Sequence, residues 1–117
     1  MKTPLLYIGQ KMSAATHQWL YDQQIDYVEV NPETPVEKFE KEVFDVFLFF
    51  SPEGIENYRA TGNFPPPASL IMANQNSTAQ AAWRYFTNKV FLLSELDELS
   101  FVQYSIAKWM KEISRKS

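Results

Sequence analysis

Leu5-Leu6-Tyr7-Ile8 is a short apolar run closed by Gly9. A run without polar alternation reads as a strand buried on both faces, as in a sheet covered by helices. Ser13 then caps a helix reaching about Gln24, with Ala15, Trp19 and Leu20 on its inner face. Tyr27 to Val30 is a second strand, more polar, with the look of an edge. Thr34-Pro35-Val36-Glu37 carries the marks of a helix start: a threonine oxygen for the amide at Glu37, a glutamate that reaches back, and a proline in the first helical position. Val36, Phe39 and Val43 continue it at helical spacing. Phe44-Asp45-Val46-Phe47-Leu48-Phe49-Phe50 is the strongest strand and predicts the centre of a parallel sheet.

Ser51-Pro52-Glu53-Gly54 follows at once as a second capped helix start, continued by Ile55 and Tyr58. The segment Gly62-Asn63-Phe64-Pro65-Pro66-Pro67 stops that helix, because consecutive prolines fit neither a helix interior nor a central strand. Ser69 to Ala73 is a fourth strand. Asn74-Gln75-Asn76-Ser77-Thr78 opens a helix with Ala79, Ala82, Trp83 and Phe86. Lys89 to Leu93 is a fifth strand, and Ser94 caps a last helix whose inner face reads Leu99, Val102, Ile106, Trp109 and Ile113. Acids in its first turn (Glu95, Asp97, Glu98) and bases in its last (Lys108, Lys111, Arg115, Lys116) suit the helix dipole. Strands alternating with single helices predict one α/β domain over residues 1–117. Its sheet is open, five-stranded and parallel, in order 2-1-3-4-5, with right-handed crossovers and helices on both faces.

Composition narrows the chemistry. The 117 residues suffice for one domain. Eleven basic against fourteen acidic residues give a net charge of −3, which disfavours a protein that tracks nucleic-acid phosphates. The absence of cysteine excludes disulfides, thiolate metal sites and a cysteine nucleophile. The opening MKTPLLYIGQKMSAA has too short an apolar run for a signal peptide. Val43 to Phe50, broken by Asp45, is far below a membrane span, so a cytoplasmic protein is expected. The three glycines form no nucleotide-binding motif. His17 stands alone, with no carboxylate at helical spacing, and is expected to be structural; no metal is expected. Aromatic residues do not interleave with basic ones, so base stacking is not suggested.

In open parallel sheets ligands bind outside the carboxyl ends of the strands. Three loops belong there: Gly9 to Ser13, Ser51 to Gly54, and Asn74 to Thr78. Each leads into a helix amino end, where free amides and the dipole favour an anion. Ser51, Ser77 and Thr78 add hydroxyls. One reading is a carboxylate- or phosphate-bearing ligand; the other is ordinary capping, which every helix of such a fold needs. Glu53 divides the same way, between a general acid or base and a complement to the dipole.

Phe49-Phe50-Ser51-Pro52-Glu53-Gly54-Ile55 resembles the uroporphyrinogen-III synthase family, where a buried strand runs into Ser-Pro-x-Gly. Ile71-Met72-Ala73-Asn74-Gln75-Asn76-Ser77-Thr78-Ala79 is similar to that family's second motif, a short strand, a glycine loop and Thr-Ala at a helix start. The helix from Ser94 to Ile113 sits where the family has its last helix. The resemblance covers nearly the whole chain, aligned to the carboxy-terminal half of the usual enzyme. It implies a flavodoxin-like half-domain and a cofactor-free carbon–oxygen lyase of tetrapyrrole (haem) biosynthesis. Such an enzyme cyclises hydroxymethylbilane to uroporphyrinogen III, inverting ring D and losing water. It further implies that Ser51, Pro52, Glu53 and Gly54 line one wall of the substrate cleft and Asn76, Ser77 and Thr78 another. It identifies no catalytic residue.

The chain departs from the family in three ways. It has half the length, so the two-domain cleft needs a homodimer formed by segment exchange or a partner half-protein. The family's tyrosine after the second strand has no counterpart in Val30-Asn31-Pro32-Glu33. Gln75 replaces the glycine of the second loop. A non-catalytic tetrapyrrole- or anion-binding module is the alternative. A receiver-like signalling domain would need acids where the first strand closes on Ile8-Gly9-Gln10.

Overall fold

The computed structural model describes residues 4–30 and 44–116. In chain order these form β1 (Leu5–Ile8), α1 (Ala14–Asp22), β2 (Tyr27–Val30), β3 (Val46–Phe49), α2 (Pro52–Ala60), β4 (Leu70–Ala73), α3 (Asn76–Tyr85), β5 (Val90–Leu92) and α4 (Glu98–Lys116). The expected helix from Thr34 through Val43 lies outside the described residues. The sheet is parallel throughout, in the order β2-β1-β3-β4-β5 expected from the sequence.

Burial follows position in the sheet. β1, β3 and β4 are fully buried, while β2 and β5 at the edges are partly exposed. Successive side chains alternate between the two layers. Leu5, Tyr7, Val46, Leu48 and Met72 pack with Leu20 of α1 and with Phe101, Val102 and Ile106 of α4. Leu6, Ile8, Phe47, Phe49 and Ile71 pack with Ile55 and Tyr58 of α2 and with Ala82 and Phe86 at α3. On that second face the Tyr58 ring stands edge-on to Phe47 at 5.4 Å and to Phe49 at 5.8 Å. Such contacts add to the gain from area burial alone.

Two helix faces match their expected residues in part: Leu20 in the first helix and Val102 and Ile106 in the last are buried. In α1 the buried positions are Thr16 and Leu20, with Trp19 half-buried, whereas Ala15 is exposed. The stripe runs Met12, Thr16, Leu20, and a single alanine has too little apolar area to rotate the helix away from it. The last helix begins at Glu98, not after Ser94. Asp97 caps it, its carboxylate accepting from the Ser100 amide at 2.7 Å. Its inner face holds Phe101, Val102, Ser105 and Ile106, with Leu99 and Trp109 half-buried. Ile113 is 48% exposed. A helix of 19 residues is about 28 Å long, against about 13 Å for a four-residue strand, so its final turns overhang the sheet.

Candidate functional site

The register aligns Ile8, Phe49 and Ala73 across adjacent strands. The chain therefore leaves β1, β3 and β4 on one rim, and the loops into α1, α2 and α3 lie side by side there. Gly9 brings the first two together. Its φ is +120°, and a Cβ would meet Phe50 Cβ and N at 3.3 Å. Only glycine takes that backbone without strain. A Cβ on Gly54 would in turn lie 3.6 Å from Gly9 Cα, so the β1–α1 loop touches the first turn of α2.

At α2, Ser51 is extended and its hydroxyl oxygen accepts the Gly54 amide at 3.2 Å. Pro52 follows in the first turn and has no amide to offer. Ser51 and Pro52 are half-buried, Glu53 is exposed and Gly54 is buried. One amide of this start is thus already satisfied. The start of α3 is different. Gln75 holds the cap position with φ −156° and makes no side-chain cap hydrogen bond. Gln75, Asn76 and Ser77 are exposed. Thr78 is fully buried and turns its hydroxyl to Asn74 Oδ1 at 3.3 Å. The expected residues share a rim, but the two starts are unequal. The Ser51 hydroxyl is engaged as a cap and the Thr78 hydroxyl is enclosed, while Asn76 and Ser77 face solvent beside the positive end of α3.

A second polar group on the same rim escaped the sequence reading. Glu98, in the first turn of α4, reaches the β1–α1 loop. Its Oε1 accepts from the Tyr7 hydroxyl at 2.5 Å and from Gln10 Nε2 at 3.1 Å. Its Oε2 accepts from the Ser13 amide at 3.2 Å, the Ser13 hydroxyl at 2.5 Å and the Thr16 hydroxyl. Burial pushes the Glu98 carboxyl up, but hydrogen bonds from Ser13, Thr16 and Tyr7 outweigh it and hold the group at about 2. Burial, with Glu98 beside it, pushes the Tyr7 phenol well above its ordinary range. In sequence Glu98 reads only as a complement to its own helix dipole. Its partners lie 82 to 91 residues away, beyond any local pattern.

His17 has a carboxylate neighbour after all, supplied by the adjacent strand and not by its own helix. Nε2 lies 3.3 Å from Glu29 Oε1, and Nδ1 hydrogen-bonds the Tyr27 hydroxyl. Glu29 Oε2 also accepts the Met12 amide at 2.8 Å, which ties β2 to the same loop. Burial, with the Glu29 charge adding to it, raises the Tyr27 phenol.

A cavity of about 780 Å³ opens at the α1–β2 turn, lined by residues that include Asp22, Gln24, Asp26 and Tyr27. It lies at the opposite rim, and its two carboxylates oppose an anionic ligand. Among the described residues no group of three or more metal-ligating side chains assembles, and no helix is long and apolar enough to cross a membrane. No family model, curated protein or solved structure matches the chain.

Proposed function

We propose that the chain is a uroporphyrinogen-III synthase-like half-domain that holds a linear tetrapyrrole polyacid, hydroxymethylbilane, by its carboxylates at the amino ends of α2 and α3. The observation that carries this reading is the open start of α3. There an uncapped helix end, with Asn76 and Ser77 exposed beside it, stands on the same rim as the Ser51 to Gly54 turn.

One exposed carboxylate at a helix amino end gains only about 0.3–1 kcal/mol. A useful ligand therefore carries several acids that engage together, so that each contact after the first is intramolecular. A tetrapyrrole with acid side chains on every ring meets that demand. Cyclisation breaks the hydroxymethyl C–O bond and forms a C–C bond to ring D; inversion of that ring breaks and remakes its bridge to ring C, and the hydroxide leaves as water with the α-proton that ring D gives up. The contribution of this rim is to hold the chain of rings bent. A second wall comes from another copy or from a partner half-protein. The synthase reading needs that wall; binding does not.

Binding without turnover is the second reading, and one observation favours it. Glu53 is the one ionisable side chain in the segments 51–54 and 74–78, and it is exposed. These two segments thus offer little to protonate the departing hydroxyl.

The two readings separate in one experiment. The chain is incubated with enzymatically made hydroxymethylbilane and the product isomers are resolved. Isomer III in excess over isomer I, rising with protein concentration, supports the synthase. Isomer I at the uncatalysed rate, with saturable uroporphyrin binding, supports the binding module. Isomer I at that rate with no uroporphyrin binding sinks both.

A further inference from the structure

Glu98 makes far more hydrogen bonds than a helix start requires. Asp97 already caps α4 through the Ser100 amide. Glu98 instead leaves its own helix and enters a pocket built by β1, α1 and the loop between them. Tyr7 and Gln10 donate to Oε1, the Ser13 and Thr16 hydroxyls donate to Oε2, and the Ser13 amide donates to both. Two of these donors are hydroxyls on side chains fully shielded from solvent, Tyr7 and Thr16. Among the described residues Glu98 is the acceptor for the buried Tyr7 hydroxyl, and Thr16 otherwise shares only the Ser13 hydroxyl, so the pocket favours an occupant that brings acceptor oxygens.

The pocket also adjoins the proposed ligand site. The Tyr7 ring rests on Phe50 at 4.6 Å between centroids, and Phe50 leads directly into Ser51. Gly9, between the pocket and α2, lies in contact distance of the first turn of that helix.

We propose that this pocket is a carboxylate-binding subsite that the chain fills with its own Glu98 when no ligand is bound. An incoming ligand carboxylate reproduces the same contacts. Glu98 then moves to solvent while Asp97 keeps α4 capped. The identity of the ligand as a tetrapyrrole rests on the function proposed above; the pocket itself does not.

The test uses Glu98→Ala and sodium acetate as the probe, with sodium chloride at equal ionic strength as control. Acetate should raise the melting temperature of Glu98→Ala in a saturable way that chloride does not match. Thr16→Val in the same background should abolish the rise, and the wild-type chain should show none. Equal responses to acetate and chloride would overturn the subsite. Should Glu98→Ala fail to fold, Glu98→Gln keeps the volume while weakening the occupant. Uroporphyrin should then bind Glu98→Gln about threefold or more tightly than wild type, because the competing state is less populated. Unchanged or weaker binding would overturn the proposal. Acetate rescue without uroporphyrin binding to any form would retain the subsite and remove the tetrapyrrole reading.

Discussion

The two halves of the carboxyl rim treat their polar groups in opposite ways. Around the β1–α1 loop nearly every donor has a partner inside the chain: Glu98 takes those of Tyr7, Gln10, Ser13 and Thr16, and Glu29 takes the Met12 amide. At the start of α3 the exposed side chains of Gln75, Asn76 and Ser77 supply no such closure, and the cap position is unused. The start of α2 stands between them, with Ser51 as its cap. The difference shows that position on the rim does not by itself make a binding site. What matters is which amides and hydroxyls the chain has left for something else.

The largest effect should come from the residue both halves share. Phe50 is buried between Tyr7 at 4.6 Å and Phe101 at 5.1 Å, and its backbone carries the chain into Ser51. Phe50→Ala should cost about 3–5 kcal/mol in urea unfolding. A loss under about 1 kcal/mol would mean that the halves do not rest on a common floor.

The closed half should depend on Glu98 for stability. Glu98→Ala leaves the buried Tyr7 hydroxyl without its acceptor and the Thr16 hydroxyl with Ser13 alone, and should cost about 2–4 kcal/mol. Acid should reveal the same dependence. The folded-state value of Glu98 lies at about 2, below its ordinary 4.5, so its contribution is complete above 4.5 and is lost as pH falls toward 2. Because the group is only partly buried, up to about 2 kcal/mol is expected in that window. Unfolding measured from pH 5 to pH 2 should show a steeper fall for wild type than for Glu98→Gln; parallel curves would contradict the pairing.

The open half should respond more weakly in stability and more strongly in binding. Ser51→Ala removes one cap and should cost about 1 kcal/mol. Gln75→Asp should do the reverse. A carboxylate at the extended cap position should stabilise α3 by about 0.5–1 kcal/mol and at the same time weaken uroporphyrin binding. Gain of stability with unchanged affinity would mean that the α3 start holds no ligand.

The architecture was legible because its strands are contiguous apolar runs separated by helix starts. Leu5–Ile8 and Tyr27–Val30 are strands over the residues their hydrophobicity marks. The central run is longer in sequence than in the sheet. Phe44 and Phe50 flank β3 and are buried outside it, although the Phe50 amide still donates to Ile8 O at 3.2 Å, because apolarity reports burial and not strand extent. The α4 stripe is broader than its apolar spacing for a related reason. Val102 and Ile106 are buried and Trp109 packs against the core as expected, but Phe101 and Ser105 are buried too, Ile113 is exposed, and the Ser105 hydroxyl is buried without a partner, which no hydrophobic pattern anticipates. The rim loops were placed correctly. How far each was already satisfied was not readable, because Glu98 and Glu29 reach them from other elements.

The central claim is that the starts of α2 and α3 form the anion-binding part of the rim. An amide chemical-shift titration of the wild-type chain with uroporphyrin tests it most directly. Saturable shifts are expected at Glu53, Asn76, Ser77 and Thr78, with a further shift at Ser13 where a ligand carboxylate displaces Glu98, and little change at Gln24 to Tyr27. Shifts centred on the α1–β2 turn, or none at the two helix starts at saturation, would contradict it.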